Sequence, residues 1–235
     1  MWGRGVVAVV GQCAALLLVV GVMAGCGPKR VKRPYNLSRY AQNMEWPRPE
    51  VMAAAESAWR CGRSTGDFAS PVLTVIDYSL PSTERRLWVI DMIQRRVLSQ
   101  ELVAHGSNSG DLYAVAFSNR VGSLQTSLGL FRTESTYYGD NGYSLRLDGL
   151  EPGINDRAYE RKIVVHGANY VQPGVIAMMG RLGRSHGCPA IPHAAARRII
   201  DQIKGGSAVF AYYPDPGYMQ SSAYLRCDAN RLAHR

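Results

Sequence analysis

The chain has 235 residues, 46% of them hydrophobic and 19% charged, with 27 Lys and Arg against 18 Asp and Glu for a formal net charge of +9. This composition excludes a disordered or low-complexity chain and suits one well-cored domain with a short appendage. The positive charge gathers ahead of residue 50 and is diffuse beyond it, with no basic stripe interleaved with aromatics, so no nucleic-acid partner is expected.

Residues 1–25 read as an export signal. Arg4 precedes a run over residues 6–22 that is almost wholly apolar, broken mainly by Gln12. That length fits a signal-peptide core and is short for a secure membrane span. The run ends in Val22-Met23-Ala24-Gly25-Cys26, which resembles a bacterial lipoprotein cleavage site. The resemblance implies cleavage before Cys26 and lipid attachment there; the alternative is an uncleaved N-terminal anchor. Either places the rest of the chain in an oxidising compartment outside the cytoplasm.

Residues 26–50 read as a tether. They hold Pro28, Pro34, Pro47 and Pro49, and set Lys29, Arg30, Lys32, Arg33, Arg39 and Arg48 against Glu45 and Glu50. Such a segment reaches roughly 25–30 Å. Beside a lipid anchor its cations favour anionic head groups by about 1 kcal/mol each. Gly27 is not an acidic retention signal, so in a double-membraned envelope the expected location is the periplasmic face of the outer membrane.

Residues 51–235 read as a single domain. Residues 49–60 have a helical pattern, with Gly62 as its stop. Strand patterns follow at 72–79, 86–92, 96–104, 129–133, 143–147, 162–165 and 208–213, and residues 192–203 read as a second helix ending at Gly205-Gly206. The expected fold is mostly β, a twisted β-sandwich or barrel with one or two flanking helices.

The chain has five cysteines. Cys13 leaves with the signal segment, Cys26 is the lipidation candidate and Cys188 lies in a shaped turn. Cys61 and Cys227 remain, and a disulfide between them is expected; two unpaired thiols are the alternative.

The chemistry concentrates in two places. Strand 162–165 runs into His166-Gly167-Ala168, so His166 is expected at the strand's C-terminal end, rigidly placed yet able to reach solvent. The second is Gly183-Arg184-Ser185-His186-Gly187-Cys188-Pro189-Ala190. Glycines around a cysteine leave backbone N–H groups accessible, so the loop can present a thiol and an oxyanion hole together. A thiol of ordinary pKa is only a few per cent thiolate at neutral pH, and an imidazole that takes its proton makes it a nucleophile. His166 and His186 are both candidates for that base. A structural histidine bonded to backbone is the plainer reading of His166 taken alone.

The order His-Gly-Ala, then Ser-His-Gly-Cys-Pro-Ala, resembles the murein L,D-transpeptidase (YkuD-like) catalytic domain. The likeness extends over roughly residues 70–213, through Asp77-Tyr78-Ser79-Leu80-Pro81-Ser82, Ala104-His105-Gly106-Ser107-Asn108-Ser109-Gly110, Phe117-Ser118-Asn119 and Ser144-Leu145-Arg146-Leu147-Asp148-Gly149-Leu150. It implies Cys188 as nucleophile and His166 as general base, oriented by the Gly167 carbonyl. It further implies an oxyanion hole shaped by His186, Gly187 and Cys188, with Ser185 supporting the loop. The implied reaction begins at a tetrapeptide stem of peptidoglycan, releases terminal D-alanine and passes the acyl group to an amine. It implies no metal and no organic cofactor.

Two departures bear on substrate. The 18 residues between His166 and Ser185 exceed the spacing in the better-known branch, and the stretch 172–179 is expected to form part of the pocket wall. Pro189-Ala190 follow the cysteine where many relatives carry a polar or basic residue, so a carboxylate-holding side chain is missing there. Arg184 or Arg181 is the candidate substitute. His105 is a candidate substrate contact or a loop histidine bonded to backbone, and Tyr137, Tyr138 and Tyr170 are cleft or packing residues. Asn155, Arg157 and Arg161 read as a solvated face, with stem carboxylates as the alternative partner. His193 and His234 carry no assigned role. Other readings are a carboxypeptidase or hydrolase with water as acceptor, and a wall-binding lipoprotein without catalysis. A papain-like peptidase fits less well, because there the cysteine precedes its histidine. The sequence carries no information on oligomeric state.

Overall fold

The structure is a computed structural model, described over residues 44–227. The signal segment, Cys26, most of the expected tether and His234 lie outside the described residues. Helix α1 (Pro49–Ser64) opens the domain, with Pro49 at its first turn. Gly62, read as a helix stop, is instead inside the helix: a Cβ there would meet the Phe68 ring at 2.6 Å, so the glycine admits that ring. Residues just before α1, assigned to the tether, dock on the domain. The Trp88 indole N–H donates to the Glu45 carbonyl at 2.7 Å, and Arg48 pairs with buried Asp77 at 2.9 Å.

Eight strands form one sheet in the order β3-β2-β1-β8-β4-β5-β6-β7. They are β1 (Val72–Asp77), β2 (Leu87–Asp91), β3 (Arg96–Glu101), β4 (Gly129–Gly139), β5 (Gly142–Gly149), β6 (Val164–Ala168), β7 (Ala190–Pro192) and β8 (Ala208–Tyr212). The ends of this order approach each other, because Ala104, just past β3, bridges Ala190 of β7 through an N–H···O bond of 2.8 Å. The fold is therefore mostly β, a nearly closed barrel with helices on its flanks.

Central β8 is buried along its whole length. Its Ala208, Phe210 and Tyr212 join a core under α1, while Val209 and Ala211 join a second core. That period-two division is what a strand covered on both faces requires. Helix α3 (His193–Ile203) lays Ala195, Ala196, Ile199, Ile200 and Ile203 over the second core, with Leu145, Leu147 and Val165 facing them. A smaller cluster of Leu102, Ala104, Ala168, Val171, Ile176, Leu182 and Ala190 seals the closing edge. It includes Ile176 of α2 (Pro173–Met179), the helix formed by the stretch read as pocket wall.

Helices α4 (Pro216–Ser221) and α5 (Ala223–Arg226) close the described residues and were not expected from sequence. They carry Cys227 to Cys61, with the two Cα atoms 5.2 Å apart in a disulfide that closes a separation of 166 residues. Cross-linking a loop of that length is worth about 5 kcal/mol in the chain-entropy model. Reduction is expected to lower the thermal midpoint by on the order of 10–20 °C. Thiol counting after Cys26 is excluded should find one reactive thiol before reduction; three would contradict the bond.

Candidate active site

His166 lies in the middle of β6 rather than at its end. It pairs with Ser144 of β5 on one side and Ala190 of β7 on the other. The sequence reading ended the strand too early because His-Gly looked like an exit; three more ladder pairs carry β6 to Ala168. The ring is 4% exposed, and its Nδ1 lies 3.1 Å from the Gly167 carbonyl oxygen. A carbonyl only accepts, so Nδ1 carries the proton and the neutral ring presents its lone pair at Nε2. Burial pushes the His166 pKa below its ordinary value, against the Gly167 bond, so the imidazole is neutral at pH 7. Gly167 also lets α3 approach: a Cβ there would meet Ala196 Cβ at 2.9 Å and His193 Cα at 3.1 Å.

The cysteine loop is built by backbone and hydroxyl bonds. The Ser185 N–H donates to the His105 carbonyl at 2.9 Å, and its own carbonyl accepts from Ser107 at 2.7 Å. Buried Ser185 Oγ donates to the Cys188 carbonyl at 2.6 Å and accepts the Gly187 N–H at 3.1 Å, bracing the turn from within. Gly187 has φ +118°, and a Cβ would lie 2.7 Å from the Gln125 carbonyl oxygen. Only glycine suits both constraints. The Gly187 amide is thus engaged by Ser185, while those of His186 and Cys188 meet no acceptor among the described residues.

Cys188 is the free cysteine among the described residues and is partly buried. Its Sγ is 3.7 Å from the Lys162 carbonyl oxygen, which places it at the start of β6. Burial raises the thiol pKa above its ordinary value, and a backbone bond from Val164 and the Arg161 charge only partly oppose this. Burial thus favours the neutral form of both the Cys188 thiol and the His166 imidazole.

Arg161 is the residue sequence reading missed. It was taken as part of a solvated face, yet its guanidinium donates to the carbonyls of Ser118 and Gln125 and the hydroxyls of Ser123 and Ser127. It clamps the segment on which Gly187 rests, and a Cβ on Gly187 would lie 3.2 Å from its Nη2. The 118–127 segment lies more than thirty residues before Arg161, so only the fold reveals the clamp.

A family model described as the L,D-transpeptidase catalytic domain matches residues 44–212. The chain belongs to that family. Solved structures similar to it include an L,D-transpeptidase from Mycobacterium smegmatis, at 15% identity over 62% of this chain and 60% of that one, with a TM-score of 0.39. Another is from Stackebrandtia nassauensis, at 13% identity over 71% and 67%, TM-score 0.38. The helical cell-shape-determining protein of Campylobacter jejuni is similar at 13% identity over 80% and 65%, TM-score 0.41. The chain spans 60% of the first of these structures. No curated protein sequence matches it.

Within this L,D-transpeptidase domain, other candidates take different places. His186 is exposed, and among the described residues its ring has no hydrogen-bond partner. Of the two readings of His105, substrate contact or loop histidine bonded to backbone, the hydrogen bonds it makes match the second. His105 is 1% exposed, and its Nδ1 lies 2.8 Å from Arg86 Nη2. Arginine only donates, so Nδ1 accepts and Nε2–H donates to the Gly110 carbonyl at 3.2 Å. Arg184 is tied to Asp111 at 2.6 Å and to the Gly110 carbonyl at 3.1 Å, which occupies the guanidinium proposed for substrate. Asn155 is neither solvated nor a ligand: fully buried, it donates to the Leu128 and Leu130 carbonyls and accepts from Glu151 N. Arg157 pairs with Glu160 on the surface. Tyr170 lies near the sulfur, its pKa raised to about 12 by burial and then by Cys188.

Burial and the neighbouring Arg86 charge lower the His105 pKa from 6.5 to about 4. The unfolded chain takes up this proton near pH 6.5 and the folded chain only near 4, so the stabilisation is complete above 6.5. It is lost as pH falls toward 4, by about 3 kcal/mol in total. Urea midpoints should drop between pH 7.5 and 4.5, and His105→Gln should flatten that dependence; an equal drop in the variant would contradict it.

Proposed function

We propose that the protein is an exported, lipid-anchored peptidoglycan L,D-transpeptidase with Cys188 as nucleophile and His166 as base. The observation that carries this reading is the fixed His166 tautomer, Nδ1–H on the Gly167 carbonyl, in the strand whose start meets the Cys188 sulfur. His166 Nε2 takes the thiol proton as sulfur attacks the carbonyl at the L-centre of the stem diamino acid. The developing oxyanion is met by the unengaged amides of His186 and Cys188, with Ser185 holding the loop through Gly187. Collapse breaks the C–N bond, and His166 returns the proton to the departing D-alanine amine. An acceptor amine then attacks the thioester, gives up its proton to His166, and the thiol is restored. Membrane attachment through acylated Cys26, on the periplasmic face of an outer membrane, would bring the domain to its polymer.

Purified enzyme incubated with tetrapeptide muropeptides tests the reaction. Transpeptidation releases D-alanine and yields cross-linked dimers or exchanged stems. Shortened stems alone would make water the acceptor and the enzyme a carboxypeptidase, and no product at all would favour a wall-binding role. Loss of palmitate labelling in Cys26→Ser tests the anchor.

A further inference from the structure

We propose that Arg146, clasped between Tyr137 and Tyr159, is the substrate-carboxylate receptor of this site. The inference rests on the transpeptidase reading above and assigns the group that selects the stem. In β5 and β6, Arg146 pairs with Val164 and Ser144 pairs with His166. Directly opposed residues of an antiparallel pair, and residues two apart, share a face, so Arg146 and His166 point to the same side of the sheet. Cys188 lies in the bend just before β7, and its Sγ is 3.7 Å from the Lys162 carbonyl oxygen, beside the start of β6. The cysteine bend, Val164 and Arg146 therefore follow one another across neighbouring chain segments in a row on the order of 10 Å long. A peptide whose carbonyl sits at the sulfur can place a carboxylate at the far end of that row.

The state of Arg146 fits the role. Its guanidinium carbon is 4.5 Å from the centroid of the Tyr137 ring and 5.8 Å from that of Tyr159. The side chain is half-buried, yet among the described residues no Asp or Glu pairs with it. Arg184 and Arg181 are by contrast drawn to Asp111. A guanidinium drawn to tyrosine rings is held by cation–π attraction, while its N–H groups, which make no hydrogen bond to the described residues, can bind a carboxylate through two parallel bonds. The rings also limit the rotamers, so less freedom is lost when the anion arrives. The residue after the cysteine, Pro189, offers no such donor, and Arg146 supplies one from a different strand.

A tetrapeptide stem offers the carboxylate of its D-alanine terminus and, where its diamino acid carries one, a side-chain carboxylate. Steady-state kinetics on intact stems and on stems amidated at one or the other position identify which is read. Arg146→Gln should raise KM by roughly 10–100-fold, the range expected for lost charge-assisted bonds, with the iodoacetamide reactivity of Cys188 and the thermal midpoint unchanged. Amidating the recognised carboxylate should raise the wild-type KM by a similar factor and erase the difference between wild type and variant. Should Arg146→Gln fold poorly, Arg146→Lys and the surface change Tyr159→Leu give the same reading with smaller increases in KM. An Arg146→Gln KM within twofold of wild type, or a defect that persists when both carboxylates are amidated, overturns the proposal while leaving the transpeptidase reading standing. Absence of turnover by the wild type overturns both.

Discussion

Replacing Cys188 by alanine is expected to abolish D-alanine release from tetrapeptide stems and capture by a carbapenem, at an unchanged thermal midpoint. The change removes one sulfur atom from a partly buried position. The bonds that shape the loop, Ser185 Oγ to the Cys188 carbonyl and the Gly187 N–H to Ser185 Oγ, involve only backbone on the loop side and survive. What disappears is the atom proposed to form the thioester, and no other free cysteine lies among the described residues to replace it. Turnover should fall at least about a thousandfold. Intact-protein mass spectrometry and D-alanine release measure the two losses together, and a variant retaining a tenth of wild-type turnover would remove Cys188 from the mechanism.

His166→Ala should cost about 10²–10⁴-fold, the usual worth of a positioned general base. Its signature is the pH profile. Burial holds the His166 pKa below its ordinary value and the Cys188 thiol pKa above its own. In wild type the base is ready wherever His166 is neutral, so acylation should remain near its plateau through neutrality. It should decline only as pH falls below the ordinary histidine range. Without His166 the reaction depends on free thiolate, so the logarithm of its rate should climb with pH to beyond the ordinary thiol pKa. Rapid-mixing acylation rates across pH test both curves. A wild-type profile rising in the same way, or a deeper loss in His186→Ala, would reassign the base.

Local pattern made much of the fold legible. Near-continuous apolar, β-rich runs at 72–76 and 208–212 marked the central strands, because both faces of each are buried. The helical periodicity of 193–203 was likewise plain, since one face alone meets the second core. Short β7 was hidden between Pro189 and Pro192, whose residue types signal a turn; its strand character comes from pairing with β6. Helix α2 was hidden by its length, and its ordering comes from Ile176 in the closing-edge cluster.

The site divides along the same line. The shaped turn around Cys188 leaves a local mark, whereas His166, Ser185 and Gly187 stand out through the resemblance of the paired His-Gly-Ala and Ser-His-Gly-Cys elements to the family. Arg161 and Arg146 leave none, since the serines, carbonyls and tyrosine rings that define them come from distant segments. The Gly/Ser/Asn-rich neighbourhood of His105 left both its readings open, and its partner Arg86 comes from a distant segment, so the depth of its burial had no local mark.

The central claim is tested most directly by trapping the acyl-enzyme. Wild-type protein is mixed with a tetrapeptide stem, quenched in acid within one turnover, and examined by intact mass and peptide mapping. The account predicts a mass increment equal to the stem less D-alanine, carried on the peptide containing Cys188 and absent from Cys188→Ala. Turnover without any such adduct, or an adduct on another residue, would contradict it.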